Sequence, residues 1–434
     1  MLSGRRIFSG ISFEIGEGET ALLTGKTGSG KTTLGIASCG YLPMWAGDWA
    51  IDGKIRFSGE ELAQGDYRSD VGIVFDEPYS QISGMKKTVE GELAFPLECK
   101  GINPSDISAE IKKYSELFNL CHLMESDLRT LSGGELQRVV VAAALIGKPG
   151  FLFLDRFLTE IDTEFRKKLM QIVSQYISNS GGVLIAAEDP WLLPEYEFSH
   201  CLSLGEEPSD PDYQSLQPLL STCNPSEKPL LEISSLSFGY EKRRKILDNF
   251  SLSVSGGEII LLKGQNGAGK TTLAKILSGL LKPQNGSIIL DGQSYSDLGE
   301  EGVIPLVGFA LQNPELQLCR KTVREEFLLG QRWGNSFGDI AEILGLNSKM
   351  DSHPYELTHA EKKRLGIALA YGTGKKLIIL DEPTQYQDGD GFMVTATTIC
   401  RMASQGKSVI VISHDPRFEF AFPDIRTVEL SLNS

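Results

Sequence analysis

The chain has 434 residues, 41% hydrophobic and 23% charged, which is long for a single core. Its formal net charge of −15 and pI near 5.0 have the wrong sign for a protein that neutralises many nucleic-acid phosphates, so no nucleic-acid partner is expected. No apolar run approaches the roughly 18 residues of a membrane-spanning helix, and seven cysteines without C-x-x-C spacing signal neither a zinc knuckle nor an iron–sulfur cluster and fit a reducing cytosol.

In chain order, Ala21-Leu22-Leu23-Thr24 reads as a buried strand that feeds Gly25-Lys26-Thr27-Gly28-Ser29-Gly30-Lys31-Thr32, and Thr33-Leu34-Gly35-Ile36-Ala37 reads as the helix that follows. The loop fits G-x-x-x-x-G-K-[ST]. Gly25, Gly28 and Gly30 let backbone N–H groups turn inward around an anion, Lys31 reaches the phosphates, and the Thr32 hydroxyl takes a Mg²⁺ position; Thr33 is counted among the nucleotide contacts. Leu131-Ser132-Gly133-Gly134-Glu135 carries an S-x-x-E capping box at the start of a helix whose amides and dipole favour phosphate. Phe151-Leu152-Phe153-Leu154-Asp155, an apolar run ending in aspartate, suits a buried parallel strand that presents a carboxylate to Mg²⁺. Pro208, Pro211, Pro218, Pro225 and Pro229 stand among Ser, Glu, Asp and Gln, and predict an exposed linker over 206–229 between domains at 1–205 and 230–434.

The landmarks then repeat. Ile259-Ile260-Leu261-Leu262 leads into Gly264-Gln265-Asn266-Gly267-Ala268-Gly269-Lys270-Thr271, followed by Thr272, 239 positions after the first loop (264 − 25). Leu357-Thr358-His359-Ala360-Glu361 and Leu377-Ile378-Ile379-Leu380-Asp381 answer the later landmarks at an offset of 226 (357 − 131). Two such loops in register argue against an incidental glycine-rich turn.

The loops, the LSGGE-type signature, the Asp-ending strands and Ser413-His414-Asp415 together resemble the ATP-binding cassette family over nearly the whole chain. The resemblance implies an α/β fold of two P-loop domains. Each would be a mainly parallel sheet flanked by helices, with a helical insert between Q-loop and signature. It also implies ATP hydrolysis with ATP and Mg²⁺ as cofactors, and head-to-tail packing of the domains as an intramolecular pseudo-dimer. Each ATP would then lie between the loop of one domain and the signature of the other.

One such site looks complete. By resemblance Gly264, Asn266, Gly267, Gly269, Lys270, Thr271 and Thr272 hold phosphate, Thr271, Gln312 and Asp381 hold the metal, and Tyr240 stacks on adenine. Glu382 is the general base, Gln312 the Q-loop glutamine and His414 the switch histidine, with Ser132, Gly133 and Gly134 supplied from across. The other site keeps Lys31, Thr32 and Asp155 but has Arg156 at the base position, Asp76 at the glutamine, Glu188 at the histidine, and Thr358-His359-Ala360 opposite. Guanidinium cannot act as a base, and side chains at His359 and Ala360 would block the close approach that glycine permits. The position matching Tyr240 is Met1 (240 − 239), so the first domain is expected to lack the opening strand and its aromatic.

Gln81-Ile82-Ser83 with Thr88-Val89-Glu90-Gly91-Glu92 and Gln317-Leu318-Cys319 with Thr322-Val323-Arg324-Glu325-Glu326 are similar to the ATPases of energy-coupling factor importers and their cobalt and nickel relatives. The apolar residues of this phrase alone are equally explained by helix packing. The resemblance implies a peripheral subunit at the cytoplasmic face of the cell membrane. Its partners would be integral membrane transporter subunits, a transmembrane coupling protein and a substrate-binding membrane protein, serving uptake of vitamins or transition-metal ions. The alternative is a soluble tandem ATPase acting on ribosomes or nucleic acid; such proteins usually add a basic linker or a long arm, and here the linker is acidic and short.

Overall fold

The computed structural model describes residues 7–41, 51–62, 70–158, 161, 163–178, 181–187, 193, 196–205, 212–221, 223, 225–240, 245–265, 267–331, 338–372 and 374–431. The chain forms two compact units, Met1–Pro208 and Ser209–Ser434.

The first unit contains β1 (Thr20–Thr24), β2 (Arg56–Phe57), β3 (Glu60–Glu61), β4 (Val71–Val74), β5 (Phe151–Asp155), β6 (Gly182–Ala186) and β7 (His200–Ser203). Five of them make a parallel sheet in the order β4-β5-β6-β1-β7. The strands read as unbroken apolar runs because both faces are covered. Leu22, Leu152, Leu154, Val183 and Ile185 enter one core, and Ala21, Leu23, Phe153, Leu184 and Ala186 enter another. The helix Lys31–Ser38 lies close on the second face: a Cβ at Gly35 would stand 1.9 Å from the Phe153 ring, so only glycine fits there.

The second unit contains β8 (Pro229–Phe238), β9 (Leu247–Ser255), β10 (Ile259–Gly264), β11 (Asn285–Leu290), β12 (Gln293–Ser294), β13 (Val307–Ala310), β14 (Leu377–Asp381), β15 (Ser408–Ile412) and β16 (Arg426–Leu430). Its parallel sheet, β13-β14-β15-β10-β16, repeats the first unit's strand order. Alternate residues again divide between two cores, Leu261, Ile378 and Val411 on one side and Ile260, Ile379 and Ile410 on the other. An antiparallel sheet, β12-β11-β8-β9, lies beside it. Residues 8–16, at the offset from β9, carry no assigned strand. β9 takes its ladder from β8, and the first unit has no counterpart of β8 among the described residues.

Helical segments are inserted between β4 and β5 (Val89–Cys99, Pro104–Leu117, Gly133–Ile146) and between β13 and β14 (Val323–Gln331, Gly338–Ile343, His359–Tyr371). Within the segment expected as linker, Tyr213–Leu216 and Gln217–Leu220 form short helical turns on the second unit. Leu216 is buried, and the Tyr213 ring packs edge-on to Phe392 and stacks with Phe420. These apolar side chains anchor the segment despite its prolines and charges.

Candidate nucleotide sites

In the second unit β10 ends at Gly264, whose φ of 148° and close neighbour both demand glycine: a Cβ would stand 2.3 Å from the Leu430 carbonyl oxygen. Gly267 and Gly269 also have positive φ, 84° and 96°, and Asn266 lies outside the described residues. Lys270, at the start of the helix Lys270–Leu277, folds back so that Nζ donates to Gly264 O (2.5 Å) and Gln265 O (3.1 Å) and lies 3.0 Å from His414 Nε2. Next to it the Thr271 hydroxyl donates to Asp381 Oδ2 at 2.8 Å, and Thr272 lies 3.4 Å from the Tyr240 hydroxyl. The Tyr240 ring meets Phe238 edge-on and is otherwise exposed.

β14 delivers Asp381 and Glu382 to the same place. Glu382 adopts φ 46°, unusual for a residue with a side chain, and its N–H donates to Ile412 O at 2.8 Å. Ser413 Oγ donates to its Oε2 at 2.9 Å. Burial, reinforced by the Asp381 carboxylate next door, pushes the Glu382 carboxyl up to about 7, against the pull of Ser413 and Lys270. Burial also raises Asp381, opposed by Thr271, Lys363 and Lys270. Gln312 follows β13, and its carbonyl accepts from Lys363 Nζ. A hydroxyl and a carboxylate side by side form an oxygen donor set suited to a hard divalent cation, so Thr271 and Asp381 fit Mg²⁺.

The first unit repeats the loop. Gly25, Gly28 and Gly30 have φ of 145°, 81° and 97°, Lys31 Nζ donates to Gly25 O (2.7 Å) and Lys26 O (3.0 Å), and the Thr32 hydroxyl donates to Asp155. Thr33 follows within the helix. Arg156 has φ 47° and donates its N–H to Ala186 O at 3.0 Å, the backbone pose of Glu382. Its guanidinium pairs with Asp76, Nη2 to Oδ2 2.6 Å, so the residues at the base and glutamine positions are each other's partner. Glu188 lies outside the described residues.

Both signature helices are capped as their S/T-x-x-E patterns predict. Glu135 N donates to Ser132 Oγ and Ser132 N to Glu135; Glu361 N donates to Thr358 Oγ1 and Thr358 N to Glu361. Gly133 and His359 are half-buried, whereas Gly134 and Ala360 are buried. Ala360 is 4% exposed, whereas His359 is half-buried with its ring 5.2 Å from Tyr386.

The family described as "ABC transporter" matches residues 8–158 and 247–385, one copy in each unit. The chain belongs to the ABC transporter family. It is an ATPase, and domains of this family bind ATP with Mg²⁺. A "Putative ABC transporter ATP-binding protein" of Methanosarcina mazei is 28% identical over 93% of this chain and 86% of its own. A "Putative HMP/thiamine import ATP-binding protein YkoD" of Bacillus subtilis is 29% identical over 96% and 86%. A solved "RNase-L Inhibitor" is similar with a TM-score of 0.62 over 93% of this chain and 81% of its own, and at 20% identity this likeness concerns the fold alone.

Several residues that shape these ABC domains are not evident from single motifs. Gln317 Oε1 accepts from Leu311 N (3.0 Å) while its Nε2 donates to Phe309 O (2.6 Å), and Gln81 Oε1 accepts from Phe75 N (3.0 Å), so each fastens the chain around a Q-loop. Glu326, 1% exposed, accepts the backbone N–H groups of Cys319 (2.5 Å) and Arg320 (2.6 Å). Glu92 does the same for Ser83 N and Oγ at 2.7 and 2.8 Å. Asp415 accepts from Thr384 Oγ1 at 2.6 Å and from the buried Arg417, whose Nη1 donates to Gln387 O at 3.1 Å. The repeated T-V-x-x-E phrase was the one sequence signal for the two buried glutamates.

Proposed function

We propose that the chain energises a membrane importer of energy-coupling factor type at the cytoplasmic face of the membrane, and that its two nucleotide sites are unequal. The observation that carries the inequality is the partner at the base position: Glu382 accepts from Ser413, whereas Arg156 pairs with Asp76. At the second unit's loop, Lys270 neutralises phosphate charge, and Thr271, Asp381 and Gln312 would hold Mg²⁺, which would supply further charge neutralisation. Glu382 takes the proton from the attacking water as its oxygen bonds to the γ-phosphorus and the bridging P–O bond to ADP breaks. Burial raises the Glu382 carboxyl above its ordinary value, the direction that favours a proton acceptor. His414 contacts the γ-phosphate, and Tyr240 stacks on adenine. The first unit's loop holds nucleotide through Lys31, Thr32 and Asp155 without a base.

The importer branch is supported by the repeated phrase after each Q-loop and by the import role printed in the B. subtilis relative's name. Its partners are a transmembrane coupling protein and a substrate-binding membrane protein. A tagged chain that sediments with ribosomes and not with membranes refutes this branch.

Head-to-tail pairing assigns Ser132-Gly133-Gly134 to the nucleotide of Lys270. Gly133→Asp should then lower steady-state ATPase by roughly 10²-fold or more, by setting a carboxylate against the γ-phosphate. His359→Asp, at the matching half-buried position, should leave most activity. Equal losses refute the crosswise assignment.

A further inference from the structure

We infer that Arg156 is a triphosphate-binding residue of the first unit, with Asp76 holding its place until a γ-phosphate arrives, so that this site distinguishes ATP from ADP without cleaving either. The inference rests on the reading of the first unit's loop as a nucleotide site.

The backbone supports it first. Arg156 keeps the left-handed φ of 47° and the N–H bond to the neighbouring strand that Glu382 has at 46°, although it has no base to aim. The N–H bond to Ala186 anchors this pose, so the Arg156 and Glu382 side chains leave their strand ends from the same backbone conformation. Its placement is the second support. Nη2 is 2.6 Å from Asp76 Oδ2 and Nε is 3.9 Å from Asp155 Oδ1, while Asp155 also accepts the Thr32 hydroxyl. The guanidinium therefore stands at the metal-site end of the phosphate loop. The pair is largely desolvated but not sealed, with 18% of the Arg156 and 11% of the Asp76 side chain exposed.

Chemistry supplies the direction. A planar guanidinium fork matches phosphate oxygens two at a time, and a terminal phosphate carries more charge than the single carboxylate it replaces. Asp76 neutralises Arg156 and would compete with phosphate for it. ADP has no γ-phosphate to offer and leaves the pair closed. Asp76 directly follows Phe75, whose N–H is fastened to Gln81, so breaking the pair releases one of the ties on this segment. The second unit has Glu382 and Gln312 at these positions and no such ion pair to break.

The test uses the full chain carrying Lys270→Ala, which leaves the first unit's loop as the site with its lysine, and measures equilibrium binding of Mg-ATP and Mg-ADP. Arg156→Ala should weaken ATP by roughly tenfold or more and ADP by less than about threefold. Asp76→Asn should tighten ATP several-fold with ADP unchanged, and Arg156→Lys, with charge but no fork, should fall between. If Arg156→Ala melts the unit by stranding Asp76, the double change Arg156→Ala/Asp76→Ala removes both charges and is measured in its place. Parallel losses for ATP and ADP, or weaker ATP binding in Asp76→Asn, overturn the inference alone. Absence of any ATP binding in the Lys270→Ala chain overturns the nucleotide-site reading beneath it as well.

Discussion

Glu382→Gln removes one negative charge with little change of shape, and in the nucleotide-free protein it should raise stability while it abolishes most turnover. Glu382 stands beside the buried Asp381 carboxylate, and burial plus that neighbour move its carboxyl from 4.5 up to about 7. Below 4.5 the proton is on in both folded and unfolded chains, and the group costs nothing. Between 4.5 and 7 the unfolded chain ionises first and the folded state loses ground; above 7 the cost is complete. That interval is worth about 3 kcal/mol at most, and screening at a partly exposed carboxyl brings it to about 1–3 kcal/mol. Glutamine keeps the acceptor for Ser413 and sheds the repulsion. For a unit of this size the gain is a rise in melting temperature of roughly 2–10 °C. Scanning calorimetry of both proteins without nucleotide or Mg²⁺ should show that rise at pH 8 and a smaller one at pH 5. Steady-state phosphate release should fall by roughly 10²- to 10⁴-fold. A gain of the same size at both pH values, or a lower melting temperature at pH 8, would refute the reasoning about Asp381; near-normal turnover would refute Glu382 as the base.

Glu326→Ala should destabilise the second unit by about 2–3 kcal/mol, since it strands the N–H groups of Cys319 and Arg320 and the carboxylate is buried. Urea melts check this through a lower midpoint, and amide exchange should accelerate first at 319 and 320. Arg156→Glu should restore no hydrolysis and should destabilise the first unit by about 1–3 kcal/mol, because it sets a carboxylate against Asp76 and Asp155. Adding Asp76→Gln should recover much of that loss in thermal melts, and a double mutant no more stable than Arg156→Glu alone refutes the pair as its source.

The phosphate loops, the Asp-ending strands and the capping boxes were legible in the sequence because each writes its chemistry within about ten adjacent residues. A glycine at positive φ and a lysine that folds back follow from local spacing, whereas Thr271 with Asp381 and Thr32 with Asp155 meet across 110 and 123 positions and were legible only because each partner sits in a motif of its own. The Arg156–Asp76 pair was not legible as a pair: its members are 80 positions apart (156 − 76) and meet only because β4 and β5 are neighbours in the sheet. Read singly, each is a lost catalytic part. The burial of Ala360 was not legible either, since a signature motif does not say which of its side chains turns inward. The division of each strand between two cores was equally hidden. With both faces apolar, a run such as Leu377-Ile378-Ile379-Leu380 shows no alternation, and only the contacts reveal it.

A comparison of the two units separates holding phosphate from moving a proton. The glycines that shape the loops agree closely, with φ of 145° and 148°, 81° and 84°, and 97° and 96°. Both lysines fold back on the same two carbonyls, and both threonine hydroxyls meet the strand-end aspartate. The units diverge at the next residue, where the backbone pose persists and the charge is reversed, from Glu382 to Arg156. On the proposed reading, the two units keep the left-handed pose and the loop geometry while the charge at the position assigned to the base is reversed. The pattern is explained if the first unit holds a nucleotide that the second unit's chemistry does not consume. That makes nucleotide preference at Arg156, more than any residual turnover there, the quantity on which the asymmetry turns.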